Sequence, residues 1–222
     1  MKKIRVWDLP IRLFHWVLVM LLVVSVVTQY IGGNAMEWHF RSGYAVLTLI
    51  VFRILWGLIG PPYARFSSFF PAPSKVGAYL RDVKDGVSEK YPGHSPLGGL
   101  SVIALLCVVS AQAVSGMFAN DDIASEGPLV KFISKELSDS ITWFHKDISA
   151  NLLYFLVGLH VLAIIYYYLG KKKDLVTPMF TGDKQASDDA PVANDSAGMR
   201  LLAVVILGLA AGLIYFMVNL KP

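Results

Sequence analysis

Apolar residues in this chain neither alternate strictly nor return in single stripes. They come in five long blocks separated by polar stretches, from about Leu9 to Ile31, Trp38 to Ile59, Leu97 to Ala119, Thr142 to Leu169 and Met199 to Leu220. Each block is close to the roughly 20 residues that a helix needs to cross a bilayer. Backbone polar groups must be satisfied internally in lipid, so each block predicts a transmembrane helix. Gly60-Pro61-Pro62 ends the second. The first is long enough to span and lacks a small-residue cleavage pattern at its end, so it reads as a retained span rather than a cleaved signal. Residues 128–140, PLVKFISKELSDS, put Leu129, Val130, Phe132, Ile133 and Leu137 on one helical face and predict a short amphipathic surface helix. Residues 183–198, DKQASDDAPVANDSAG, are small and polar and read as a flexible linker to the fifth span. No internal repeat is visible.

Composition agrees with a membrane protein. Of 222 residues, 55% are hydrophobic and only 16% charged, and the mean hydropathy is +0.54, where a soluble domain carries about 25% charge. The net charge of +4 has a topological explanation. Lys2, Lys3, Arg5 and Arg12, then Arg65, Lys75, Arg81, Lys84 and Lys90, then Lys171, Lys172 and Lys173 all fall on one side if the spans alternate. The opposite side has the loop GGNAME, without Lys or Arg, and the loop 120–141, with two lysines among several acids. The positive-inside rule therefore puts the N-terminus inside and the C-terminus outside, and the charge is no nucleic-acid footprint. The single cysteine, Cys107, sits within an apolar block. It excludes a disulfide framework, a thiolate metal site and covalent haem attachment through Cys-x-x-Cys-His.

The histidines carry the chemistry. Residues 145–160, HKDISANLLYFLVGLH, have one at each end of a helical stretch. On a helix the two lie about 22 Å apart along the axis and only some 60° apart around it. The predicted topology puts His15 and His160 near the inner side, and His39 and His145 near the outer side. Bis-histidine haem ligation needs one axial nitrogen on each face of the porphyrin, supplied from facing helices. The pairs are thus His15 with His160 and His39 with His145, a di-haem arrangement. Gly43, Ser149 and Gly158 leave room for a flat plate beside these ligands. The alternative for any one of them is a polar anchor at a span end. Zinc would want its ligands clustered, and four histidines split between two levels do not cluster. No span has an interior acid, which speaks against a proton-coupled transporter. His94, in KYPGHSP, has no partner at its level and reads as a loop or capping residue. Arg53, deep in the second span, either pairs with a haem propionate or snorkels to the inner surface. Arg41 could pair with an outer propionate. Gln112 and Ser115 either hydrogen-bond between helices or face a quinone.

Four stretches together, VWDLPIRLFHW, WHFRSGYAVLTLIVFRILWGLIGPPYARFSSF, GHSPLGGLSVIALL and HKDISANLLYFLVGLHVLAI, resemble the bacterial di-haem cytochrome b561 family, which includes the b-type cytochrome subunits of nickel–iron hydrogenases. The resemblance covers roughly residues 5–182. It implies an all-α integral membrane fold, a four-helix transmembrane bundle enclosing two b haems, with axial histidines at His15, His39, His145 and His160. The expected organisation is a bundle over 1–182, a polar cytoplasmic linker over 183–198 and an extra transmembrane helix over 199–222, which the family core lacks. The resemblance also implies the bacterial inner membrane, quinone chemistry, and a periplasmic c-type cytochrome or hydrogenase as partner beside the membrane lipid.

Two six-coordinate haems leave no open iron position, so the expected function is transmembrane electron transfer between a quinone pool and a periplasmic redox protein. The acidic loop 120–126 and the segment 128–140 offer a docking platform. One alternative is a quinone-linked oxidoreductase acting directly on a small molecule such as superoxide, with Arg41, Lys131, Lys135 and Lys146 lining its access. A haem-free anchor or assembly subunit is the other.

Overall fold

The computed structural model describes residues 2–70, 72–84, 91–123 and 125–221. Lys90 of the inner-side cations and Ala124 of the outer loop lie outside the described residues. In chain order come β1 (Lys2–Arg5), α1 (Leu9–Ile31), α2 (Met36–Ile59), α3 (Phe66–Phe69), α4 (Pro73–Lys84), α5 (Pro96–Gly116), α6 (Lys135–Trp143), a π-helical segment (Phe144–Ser149), α7 (Ala150–Leu169), α8 (Thr177–Thr181), β2 (Asp183–Ala186) and α9 (Ala197–Val218). Single 3-10 turns occupy Gly33–Ala35 and Val130–Phe132.

The five predicted spans are present as helices long and apolar enough to cross a membrane. Their ends follow local chemistry. Asp8 opens α1, its Oδ1 accepting the Ile11 N–H at 2.8 Å. Ser95 opens α5, its Oγ accepting from Gly98 N at 3.2 Å, with Pro96 as the first helical residue. The third block stops at Gly116, three residues short of its expected end. Large apolar side chains such as Leu13, Met20, Leu162, Leu201 and Leu209 are exposed. In water such surfaces would demand a cover; in a bilayer they are the lipid-facing sides. The second span is the most enclosed, with half of its hydrophobic window buried.

Two sequence readings need correction. The amphipathic helix expected over 128–140 is absent as such. A 3-10 turn at Val130–Phe132 is followed by α6, whose N-cap Ser134 accepts from Leu137 N at 3.3 Å. From there the helix runs without a break through the π-helical segment into α7, so the fourth span extends back to Lys135. The segment 183–198 is not a free tether. Asp183–Ala186 pairs antiparallel with Lys2–Arg5, in the register Arg5↔Asp183 to Lys2↔Ala186. Further on, Ala193 N donates to Arg5 O at 2.8 Å and the Tyr63 hydroxyl donates to Pro191 O at 2.9 Å.

The chain divides into two compact units. The first, from Met1–Leu13, Ile54–Ala104 and Leu159–Ala203, buries Val6, Trp7, Trp56, Tyr79 and the Asp8 carboxylate. Trp56 Nε1 donates to Asp8 Oδ2 at 3.4 Å. Asp195 gathers Arg5 Nη1 at 2.7 Å, Arg200 at 3.1 Å and the Leu9 N–H at 3.1 Å. Gly57 is required by packing, since a Cβ there would lie 2.2 Å from the Phe66 ring. The second unit, from Phe14–Arg53, Leu105–Gly158 and Val204–Pro222, has two apolar clusters. One centres on Val46, Ile50, Val109 and Leu153, the other on Leu47, Met117, Leu129 and Ile214.

Candidate functional site

His39 and His145 meet within the second unit. Their ring centroids are 6.3 Å apart and their planes cross at 88°. A metal–imidazole bond is about 2 Å long. With about another 1 Å from nitrogen to ring centre, two imidazoles on opposite faces of one metal stand roughly 6 Å apart. The 6.3 Å between the two rings matches that spacing.

The tautomers agree. His39 Nδ1 lies 2.8 Å from the Ser25 carbonyl oxygen. His145 Nδ1 lies 3.0 Å from the Gln112 carbonyl oxygen. A carbonyl only accepts, so both rings carry their proton on Nδ1 and leave Nε2 as the acceptor nitrogen. Gln112 Nε2, an amide donor, lies 3.1 Å from His145 Nε2 and needs that same assignment. Nδ1 donating to a backbone carbonyl is the usual orientation of a metal-ligating histidine.

Both rings line a cavity of about 320 Å³, with Leu22, Val46, Val109 and Ala113 among its apolar walls. That volume lies within the usual range for small-molecule and cofactor sites, about 300–1,000 Å³. A Cβ on Gly43, one turn after His39, would meet nothing within 4 Å. Gln112 Oε1, also at the cavity, is buried and has no hydrogen-bond partner. Together these features fit a flat apolar group held between two imidazoles. Asn120, Asp121 and Ser125 line the cavity from the loop that follows α5. Asn120 fixes this loop, its N–H donating to Thr142 Oγ1 at 2.9 Å and its Nδ2 to Ser138 Oγ at 2.6 Å.

The other predicted residues are distributed as follows. His15, half-buried on α1, meets Trp16 edge-on at 4.9 Å between centroids. It belongs to the second unit, while His160, on α7, belongs to the first. His94 sits in the first unit between Trp7 and Phe69, with centroids at 4.7 and 4.5 Å, a packing role. Arg53 is 4% exposed, which removes the snorkelling reading. Arg41 is turned to Glu37 at 2.5 Å and stacks over Trp38. Ser149, expected to leave room beside His145, is instead buried and outside the cavity lining. Of the cations proposed to line a small-molecule access, Lys135 pairs with Asp122 and Asp139, Lys131 bonds the Leu220 carbonyl, and Lys146 lines the cavity. Among the described residues, no three His, Cys, Asp or Glu side chains converge on a common metal position. The residue that sequence reasoning passed over is Ser25, whose only signal was a hydroxyl inside an apolar helix.

Fold and site define a multi-pass membrane protein in which two imidazoles face one cavity. The family model described as prokaryotic cytochrome b561 matches residues 6–182, and the chain belongs to that family. Membership brings transmembrane electron transfer and a b-type haem as cofactor. The chain is 26% identical to a probable Ni/Fe-hydrogenase B-type cytochrome subunit of Azotobacter chroococcum, over 85% of this chain and 91% of the relative. It is equally identical, with the same coverage, to its counterpart in Azotobacter vinelandii. It is also 26% identical to a probable superoxide oxidase of Yersinia pestis, over 74% of this chain and 90% of the relative. No solved structure matches.

Proposed function

We propose that this chain is a transmembrane electron conduit in the bacterial inner membrane that carries two bis-histidine b haems. His39 and His145 hold the outer haem. His15 and His160 hold the inner one, an assignment that rests on their level in the sequence-derived topology and on the family resemblance. The observation that carries the proposal is the 6.3 Å spacing of two imidazoles whose proton-bearing nitrogens both face carbonyls. A haem held by these histidines would supply a one-electron couple. The protein's own groups set the rest. The Ser25 and Gln112 carbonyls hold the ring tautomers, and Leu22, Val46, Val109 and Ala113 supply apolar walls. Arg53 supplies a fixed buried cation suited to a haem carboxylate.

The N-terminus lies in the cytoplasm and the C-terminus in the periplasm. Electrons pass between a quinone and a periplasmic redox protein. That protein is a c-type cytochrome or, as the names of the Azotobacter relatives support, a hydrogenase. The outer loop, closed by a bridge between Asn120 and Glu126 and exposing Ile123, is the docking surface.

A second reading, direct oxidation of superoxide with quinone as acceptor, draws on the Yersinia relative and on Lys146 at the cavity. The engagement of Arg41, Lys131 and Lys135 with protein groups favours the conduit. Pyridine haemochrome assays on purified protein test the central assignment. Wild type is expected to hold two b haems, and His15→Ala, His39→Ala, His145→Ala and His160→Ala each to lose one. One haem or none in wild type would refute it. Superoxide reducing the haem rapidly with no partner protein present would move the function to the second reading.

A further inference from the structure

The two outer histidines are held by matching devices. His39 Nδ1 faces not only the Ser25 carbonyl at 2.8 Å but also the Ser25 hydroxyl at 3.2 Å. His145 Nδ1 faces the Gln112 carbonyl and the Ser115 hydroxyl, each at 3.0 Å. Ser115 is 7% exposed, and its hydroxyl proton goes to Gln112 O at 3.0 Å, which turns an oxygen lone pair toward the ring. Each Nδ1–H is therefore shared between a backbone carbonyl and a serine oxygen.

One acceptor fixes a tautomer but lets the ring pivot about the hydrogen bond. A second acceptor on the same proton fixes the plane of the ring as well. The 88° crossing of the two rings is thus set from outside the pair. Hydrogen bonds to Nδ1–H also raise the basicity of the opposite nitrogen, and a more basic axial ligand favours the ferric state. We infer that Ser25 and Ser115 are positioning residues that set the ring planes and the donor strength of the outer axial pair, a role that rests on reading His39 and His145 as haem ligands. The ordinary fate of a serine in a membrane helix is to bond its own helix's carbonyl. Ser115 does this too, so its effect on the metal has to be separated from its effect on the helix.

The test uses full-length protein loaded with haem. Ser115→Ala and Ser25→Ala are compared with wild type and with Ser115→Thr, which keeps the hydroxyl. Haem content, redox titration and low-temperature EPR of the ferric form are measured. Crossed axial planes give a strongly anisotropic low-spin signal. Both alanine variants are expected to keep two haems, to raise the midpoint potential of one of them and to shift its low-spin signal, while Ser115→Thr restores both readouts. If Ser115→Ala lowers haem loading, recovery of loading and signal in Ser115→Thr supports the role, and failure to recover overturns it. Wild-type potentials and signals in both alanine variants at full haem content would also overturn it. Failure of the underlying ligand assignment looks different: His39→Ala would then keep its full haem complement.

Discussion

An imidazole offers a lone pair to a metal only when its other nitrogen keeps the proton. In this protein the choice is made by backbone carbonyls of neighbouring helices, at Ser25 for His39 and at Gln112 for His145. Carbonyl oxygens cannot be deleted by mutation, which makes the arrangement robust to side-chain change. The sequence carried the histidines themselves, because a histidine in an apolar block stands out. It did not carry the carbonyls, because every residue has one and only the packing of helices selects which faces a ring. Gln112 and Ser115 were visible as polar residues, but their partner, His145, is 33 and 30 positions away. His94 is the contrasting case, lodged between two aromatic rings. Its replacement by alanine is expected to leave haem content at the wild-type level while lowering thermal stability, since aromatic pairs contribute about 0.5–1.5 kcal/mol beyond simple burial. Haem quantification beside a melting curve checks this; loss of a haem from His94→Ala would reopen the ligand assignment.

At the scale of elements, the long helices were legible because an apolar run of bilayer length has few alternatives. The smaller features were not. The π-helical turns at Phe144–Ser149 have no compositional mark, and they include His145, the proposed ligand; such irregularities commonly aim a functional side chain. The β1–β2 pair joins two four-residue strands of mostly polar sequence across almost the whole chain, and no local pattern announces so distant a pairing. Gly182 makes that pairing possible. It ends α8 at φ +87°, its carbonyl accepts from Val6 and Trp7, and a Cβ on it would lie 2.6 Å from Trp7 O. Gly182→Ala should therefore cost at least about 1–2 kcal/mol from the left-handed backbone alone, read as a lower melting temperature in detergent. An unchanged melt would argue that the pair is not formed. Asp195 ties the same region with charge. Burial by itself would raise its pKa, but the bonds from Arg200 and the Leu9 N–H, with the charges of Arg200 and Arg5, hold it below the usual carboxylate value. A depressed folded-state pKa means that the stabilisation is present above about pH 3.9, the ordinary aspartate value, and is lost as pH falls through the folded value. Amide exchange over 183–198, corrected for intrinsic rates, should stay flat from neutral pH to about pH 5 and accelerate below about pH 4. Asp195→Asn should show the fast exchange already at neutral pH. Equal exchange in variant and wild type at neutral pH would contradict the clamp.

For the whole molecule, five candidate spans and basic residues grouped on alternate connections predict that the two termini face opposite compartments. Reporter fusions at each end should be active on opposite sides of the membrane, and activity on the same side would contradict five crossings. That sidedness matters because an electron conduit has to join two compartments. The most direct measurement encloses a membrane-impermeant oxidant such as ferricyanide in vesicles that carry the haem-loaded protein, adds an impermeant reductant outside, and follows the optical loss of the oxidant. The account predicts oxidant consumption with wild type, and its abolition in both His39→Ala and His15→Ala, one ligand from each proposed centre. Wild-type protein with two haems that consumes no enclosed oxidant, or variants that consume it at the wild-type rate, would contradict transmembrane electron transfer through the paired histidine centres.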